Sequence, residues 1–224
     1  MPYSYRHSGQ RPTGNVVFIQ ISRRHKLRYK ILLALTLVIA ITTGCASTPE
    51  KYNDWLLTVA APKHYNMWVE HLELEASGIR HWRMPMGGVS CCWQGPRGPS
   101  GSGQAMKPFP DYIAIQWFSF AEQKFYQRLF SLPEGLEEKM RVPASYTTSM
   151  GTFSRPRDIF TIGLAPGGQI VLWIQNQIGN EIEVARLQAN EIEGDVSNYE
   201  VGTRNYLKEN GDYIKKHGIP TEGW

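Results

Sequence analysis

Among the residues whose types could do chemistry, the adjacent pair Cys91 and Cys92 stands out, set in the run Ser90-Cys91-Cys92-Trp93. Neighbouring thiols admit three readings. Adjacent Cα atoms lie about 3.8 Å apart across a trans peptide, below the roughly 4.4–6.8 Å of ordinary disulfides, so a vicinal disulfide here would be strained. In extended backbone the two side chains point to opposite faces, which suits one small core Cys and one partly exposed thiol. A metal site is the third reading. Adjacent cysteines rarely share one ion, and His81, ten residues upstream of Cys91, stands at no recognisable zinc spacing. All three stay open on the residues alone.

Nucleophilic and acid–base chemistry has weaker support. There is no P-loop, no GxGxxG after a strand and no HExxH, and Gly101-Ser102-Gly103 lacks the full spacing of a nucleophile elbow. Downstream of Cys45 the histidines are His64, His71, His81 and His217. A catalytic His needs an orienting carboxylate and a nucleophile, which one sequence cannot bring together. His71, close to Glu73 on a charged strand face, reads as a solvated residue. No catalytic residue, metal or cofactor is therefore expected. A hydrolase with a His/carboxylate site assembled by the fold is the alternative.

The third cysteine, Cys45, has a different context. A basic block, Arg23–Lys30, precedes eleven apolar or near-apolar residues, Ile31–Ile41, and then Thr42-Thr43-Gly44-Cys45. This is the layout of a secretory signal, and the run is well short of the roughly 20 residues a membrane span needs. Small residues ahead of a Cys resemble the lipobox of bacterial lipoproteins, although Thr42 stands where that pattern usually has Leu. The resemblance implies diacylglycerol on Cys45 and removal of residues 1–44. Ala46 and Ser47, with no Asp beside the Cys, imply the outer membrane. Residues 1–22 are long for a signal n-region, and a start codon placed too early accounts for them.

Charge agrees with this division. Residues 1–44 hold seven Lys/Arg and no acid, leaving 17 basic and 20 acidic side chains on residues 45–224, a net of −3 against +4 for the whole chain. A nucleic-acid binder needs its positive charge on the folded domain, so no nucleic acid is expected as partner. Lipidation of Cys45 would leave Cys91 and Cys92 the sole free thiols of the mature chain, in an oxidising compartment.

The elements that would position these residues read as mainly β (α+β): an antiparallel, sandwich-like sheet with one short internal helix and a C-terminal helix. Residues 45–54 read as a tether and residues 55–224 as one β-rich domain. Strands are predicted at Trp55–Ala60, Met67–Ala76, Tyr112–Ser119 and Phe125–Leu132, the last two as a hairpin. In the second, Trp68, Leu72, Leu74 and Ala76 share a period-2 face that Glu70 interrupts. Gly87–Pro110 reads as a long loop, Leu136 and Met140 as one face of a short helix, and Pro143–Pro156 as a loop. Ile159–Leu164 and Gln169–Ile174 read as a buried hairpin closed by Ala165-Pro166-Gly167-Gly168, where Pro166 presets φ and Gly167 supplies a positive one. Glu181–Ala189 is divided between strand and helix. Asn198–Lys216 reads as a C-terminal helix or broken pair, interrupted by Gly202 and Gly211.

The segments Trp55 with Ala61-Pro62-x-x-Tyr65, Gly88-Val89-Ser90-Cys91-Cys92-Trp93, Ile115-x-Trp117-x-Ser119-x-x-Glu122-x-Lys124-Phe125-Tyr126 and Ile162–Gly168 with Trp173 resemble an uncharacterised proteobacterial lipoprotein family, a domain of unknown function, over about Trp55 to Ala189. Relatives are often encoded beside type VI secretion lipase-like effectors. The resemblance therefore implies an immunity role: a periplasmic, outer-membrane-anchored lipoprotein that binds a toxin. The expected function is a protein-binding module, not an enzyme, with the membrane and a protein as its partners. The Cys91-Cys92-Trp93 loop is expected either to carry the interaction or to staple the loop to the sheet.

Overall fold

The computed structural model describes residues 55–90, 93 and 102–224, all within one compact unit. Cys45, Cys91, Cys92, the leader 1–44 and the tether 45–54 lie outside the described residues.

Alternation of apolar residues builds two sheets that face each other. The first comprises β1 (Trp55–Ala60), β5 (Ser102–Met106), β10 (Ile159–Ala165), β11 (Gln169–Gln175) and β12 (Ile182–Gln188), in the order β12-β11-β10-β1-β5. The second comprises β2 (Met67–Ala76), β3 (Arg80–Arg83), β4 (Gly87–Val89), β6 (Tyr112–Ser119), β7 (Lys124–Ser131) and β13 (Asn190–Ile192), in the order β13-β7-β6-β2-β3 with β4 also on β2. Between them lies one core that includes Leu57, Val59, Leu72, Leu74, Ile113, Ile115, Trp117, Ile162 and Leu172. Among the described residues the ladders are antiparallel except one: β1 runs parallel to β10, with Leu57 opposite Phe160 and Val59 opposite Ile162. The mainly β, sandwich-like class holds, with that parallel pair as its departure.

Two readings of the sequence need correction, and a third, left between two forms, is decided. Gly87–Pro110 is not one loop, because β4 and β5 fall within it. Pro143–Pro156 holds a hairpin, β8 (Ala144–Thr148) on β9 (Gly151–Arg155). Its Ser/Thr side chains satisfy a solvated two-stranded ribbon as well as a loop, so composition alone could not separate the two. The C-terminal segment is unbroken: one turn of 3-10 helix, Val196–Tyr199, leads into a single α-helix, Glu200–His217. Gly202 lies where its own Cβ would come within 2.9 Å of the Phe120 ring, so it serves close packing rather than a break. The short helix α1 (Leu136–Arg141) forms as read, with Leu136 and Met140 buried; Glu200–His217 is α2.

Chain direction gives the sandwich two distinct ends. β1 leaves Trp55 and finishes at Ala60, and the register of every other strand follows from it. The Trp55 end holds the β2–β3 turn, residues 107–111, α1, the β8–β9 hairpin and the β11–β12 connection. The opposite end holds the β1–β2, β6–β7 and β10–β11 turns, β4, Trp93 and α2.

Candidate functional site

At that opposite end the residue before the Cys-Cys pair, Ser90, borders a groove of about 330 Å³. Its wall on the sheet side comes from β2 and β4, and its other wall from α2. Trp68 lies here because β2 carries a bulge between Val69 and His71. The bulge shifts the inward phase: Met67 and Val69 face the core before it, Leu72 and Leu74 after it, and Trp68 turns outward, 42% exposed. The expected face that joined Trp68 to Leu72 is therefore corrected. Its interruption at Glu70 was the visible trace of the bulge.

Freed from the core, the Trp68 ring spreads over Gly87 and Gly88, about 3.7 Å from where a Cβ on either would stand. Glu70 accepts hydrogen bonds from the Tyr199 hydroxyl and the Gln116 amide, each 2.6 Å long. Burial, then the bond to Glu70 and its charge, push the Tyr199 phenol well above its ordinary value. Phe120 and Tyr206, stacked at 5.6 Å, line the groove, and the Tyr206 hydroxyl donates to the His64 carbonyl at 2.6 Å. Asn66, Asn205 and Glu209 supply the polar rim. An aromatic lining with amides and one carboxylate around it suits an inserted side chain with an apolar body and a donor at its tip.

Trp93 passes to the outer face of the other sheet. It is 2% exposed, donates its backbone N–H to Ala61 at 3.1 Å, and meets Trp173 edge-on at 4.9 Å and Trp224 at 6.0 Å. Gly163 makes this possible, since a Cβ there would fall 2.3 Å from Trp173 and 2.6 Å from Trp93. Trp93 is thus a staple. Cys91 and Cys92 lie between this staple and the groove in sequence.

The turn Pro166-Gly167-Gly168 is held from the second sheet. Gly167 adopts φ 74° and ψ 13°, as its expected place in the turn requires. One carboxylate oxygen of Glu122 accepts both the Gly167 N–H and the Tyr126 hydroxyl, each at 2.9 Å. Burial, then the Glu122 charge, raise the Tyr126 phenol. Gly168 leaves room for the Tyr126 ring, which a Cβ would approach to 2.7 Å. Nothing in the sequence pairs Glu122 with the turn 45 residues away.

The histidines do not converge. His64 binds Asn210 at 2.9 Å and stacks on Tyr213, which also meets His217 and Tyr65. His71 contacts Arg83 at 2.5 Å, and the exposed His81 lies 3.3 Å from Glu73. Among the described residues no three His, Cys, Asp or Glu side chains gather as a metal site would require.

A two-sheet sandwich with its terminal helix packed on the turns of one end defines the class of fold. Within it the chain belongs to the family described as protein of unknown function DUF2931, whose match covers residues 42–222. That match outruns the expected span of about Trp55 to Ala189 at both ends and takes in α2. Neither the curated proteins nor the solved structures provide a match.

Proposed function

We propose that this is a lipid-anchored protein of the bacterial envelope that binds another protein at the end of the sandwich opposite Trp55. One observation carries the reading. The Trp68 groove, Ser90, the Trp93 staple and the Glu122-braced turn all gather at the end farthest from where the chain enters the domain. A domain tethered through residues 45–54 to a lipid on Cys45 would present that end to the periplasm. The family match supports the anchor, since it begins three residues before Cys45 and leaves the basic and apolar leader outside.

The partner is a secreted toxin, by the resemblance to lipoproteins encoded beside type VI lipase-like effectors, and the role is immunity. Binding rests on the groove, with Trp68 as its aromatic anchor. The test is capture of the effector encoded beside the gene. Trp68→Ala with Asn205→Arg should weaken capture at least about ten-fold, a loss of about 1.4 kcal/mol, while the melting temperature stays that of the parent. Full capture by this folded double variant would place the interface elsewhere.

A further inference from the structure

The Trp55 end carries an unusual excess of exposed apolar surface. Of the twelve large hydrophobic side chains exposed among the described residues, eight lie in its turns or in the strand halves that lead to them. Met150, at the tip of the β8–β9 hairpin, is 86% exposed, and Ile79, in the β2–β3 turn, 77%. Val142, Phe153, Ile178 and Leu56 are also exposed at this end. Water-facing turns are ordinarily polar, so such a collection marks a surface that meets something apolar.

Charge and aromatics narrow the occupant. The stretch Lys139–Arg157 contains four basic residues and no acid; Arg141 pairs with Glu137 and Arg155 faces Asp158 at 4.0 Å just outside it, so the guanidinium groups sit among the apolar side chains with their charge partly balanced. Within it Tyr146 and Phe153 pair at 5.6 Å across the hairpin, and the Arg155 guanidinium lies 4.7 Å over the Tyr146 ring. Glu134, Glu137 and Glu138, on and before α1, and Asp158 flank the stretch in sequence. Interfacial aromatics, a protruding Met and flanking Arg and Lys are the side chains that settle at the boundary of an anionic bilayer.

Chain connectivity selects the bilayer over other apolar partners. The described chain begins at Trp55, in the midst of this surface: its indole donates to Glu137 at 3.2 Å, and the Arg141 guanidinium covers its ring at 5.3 Å. Nine residues separate Cys45 from Trp55, and nine extended residues reach at most about 30 Å. A lipid on Cys45 thus holds this end near the headgroups, but a tether of that reach would still allow the domain to roll.

We propose that the β8–β9 hairpin, with Val142 next to it in sequence and Ile79 at the same end of the sandwich, rests on the phospholipid surface and fixes the domain upright, groove outward. The proposal rests on the lipid-anchor reading. Its test uses the full-length lipidated chain in vesicles of phosphatidylethanolamine and phosphatidylglycerol, with and without bromine on the acyl chains. Met150→Trp adds an indole at the hairpin tip; Leu207→Trp adds one on α2 at the opposite end. Emission of the parent, subtracted from each, isolates the added indole. Bromolipid should remove more than half of the Met150→Trp difference signal and leave that of Leu207→Trp unchanged. Flotation of the protein with the vesicles reports the anchor separately. A chain that floats but shows no quenching at position 150 overturns the bilayer contact and leaves the hairpin to a protein partner. Failure to float overturns the anchor, and the contact falls with it.

Discussion

At the scale of the residue, the best-defined feature is the seat of Trp93. Two indoles meet over Gly163, and the missing Cβ is what admits them. Gly163→Ala should therefore overpack the site and cost about 1–3 kcal/mol, read as a lower urea midpoint with an unchanged slope. Trp93→Ala should cost about 3–5 kcal/mol as a buried aromatic truncation. If Gly163→Ala melts with the parent, Trp93 is free to shift, and the staple is looser than the contacts imply. The sequence could offer Cys-Cys-Trp as a conspicuous run, but not Gly163 as its partner. Seventy residues separate Trp93 from Gly163, and only pairing of β1 with β10 brings them together.

At the scale of the element, legibility followed local periodicity. β1, β2 and β6 begin and end where alternation begins and ends, and the Pro166-Gly167 turn carries its own chemistry. β4, β5 and the β8–β9 hairpin were hidden because Gly, Pro, Ser and Thr punctuate short strands as well as loops. β3, Arg80–Arg83, lacked an apolar face to betray it. The ties between elements were also out of reach. Glu122, in the β6–β7 turn, fastens the β10–β11 turn through Gly167 and orders Tyr126. Glu122→Ala leaves the Gly167 N–H and the Tyr126 hydroxyl without this acceptor, a loss of about 1–3 kcal/mol, whereas Glu122→Gln retains an oxygen and should lose less. Equal melting of the alanine and glutamine variants would show that the tie contributes little.

The same elements set an alkaline limit on stability. Tyr126, Tyr199 and Tyr206 each have a phenol raised above its ordinary value near 10, chiefly by burial. A raised folded-state value favours the protonated phenol in the native chain. Its contribution is fully present below about pH 10 and is lost as pH climbs from there toward the folded-state values. The melting temperature should hold from pH 8 to about 10 and then fall. Tyr199→Phe should flatten part of that fall, because it removes one titrating group while keeping the ring against Phe118, with which it stacks at 4.3 Å. An unchanged alkaline limb in Tyr199→Phe would assign the fall to other groups.

At the scale of the whole molecule, the arrangement is polar from end to end. Apolar turns and the Tyr146–Phe153 hairpin lie where the chain enters, and the aromatic groove, the Trp93 staple and the Glu122-braced turn lie opposite. That polarity has use only if something holds the Trp55 end in place, and a lipid on Cys45 is the device the leader implies. One myristoyl-like chain alone binds membranes marginally, while two or more anchor stably. The two chains of a diacylglycerol on Cys45, as proposed, would therefore need no help from the hairpin to remain bound, and the hairpin's proposed part would be to set the tilt. Cys45→Ser should accordingly abolish incorporation of a clickable fatty acid, leave an unprocessed precursor at the inner membrane, and do so without changing the melting of the domain, since none of the described strands and helices contains Cys45. Labelled mature-sized Cys45→Ser protein would move the lipid to another residue. Mature-sized parent protein with no label would replace the lipid by a plain cleaved leader, and protection against the effector would then have to survive without any membrane attachment.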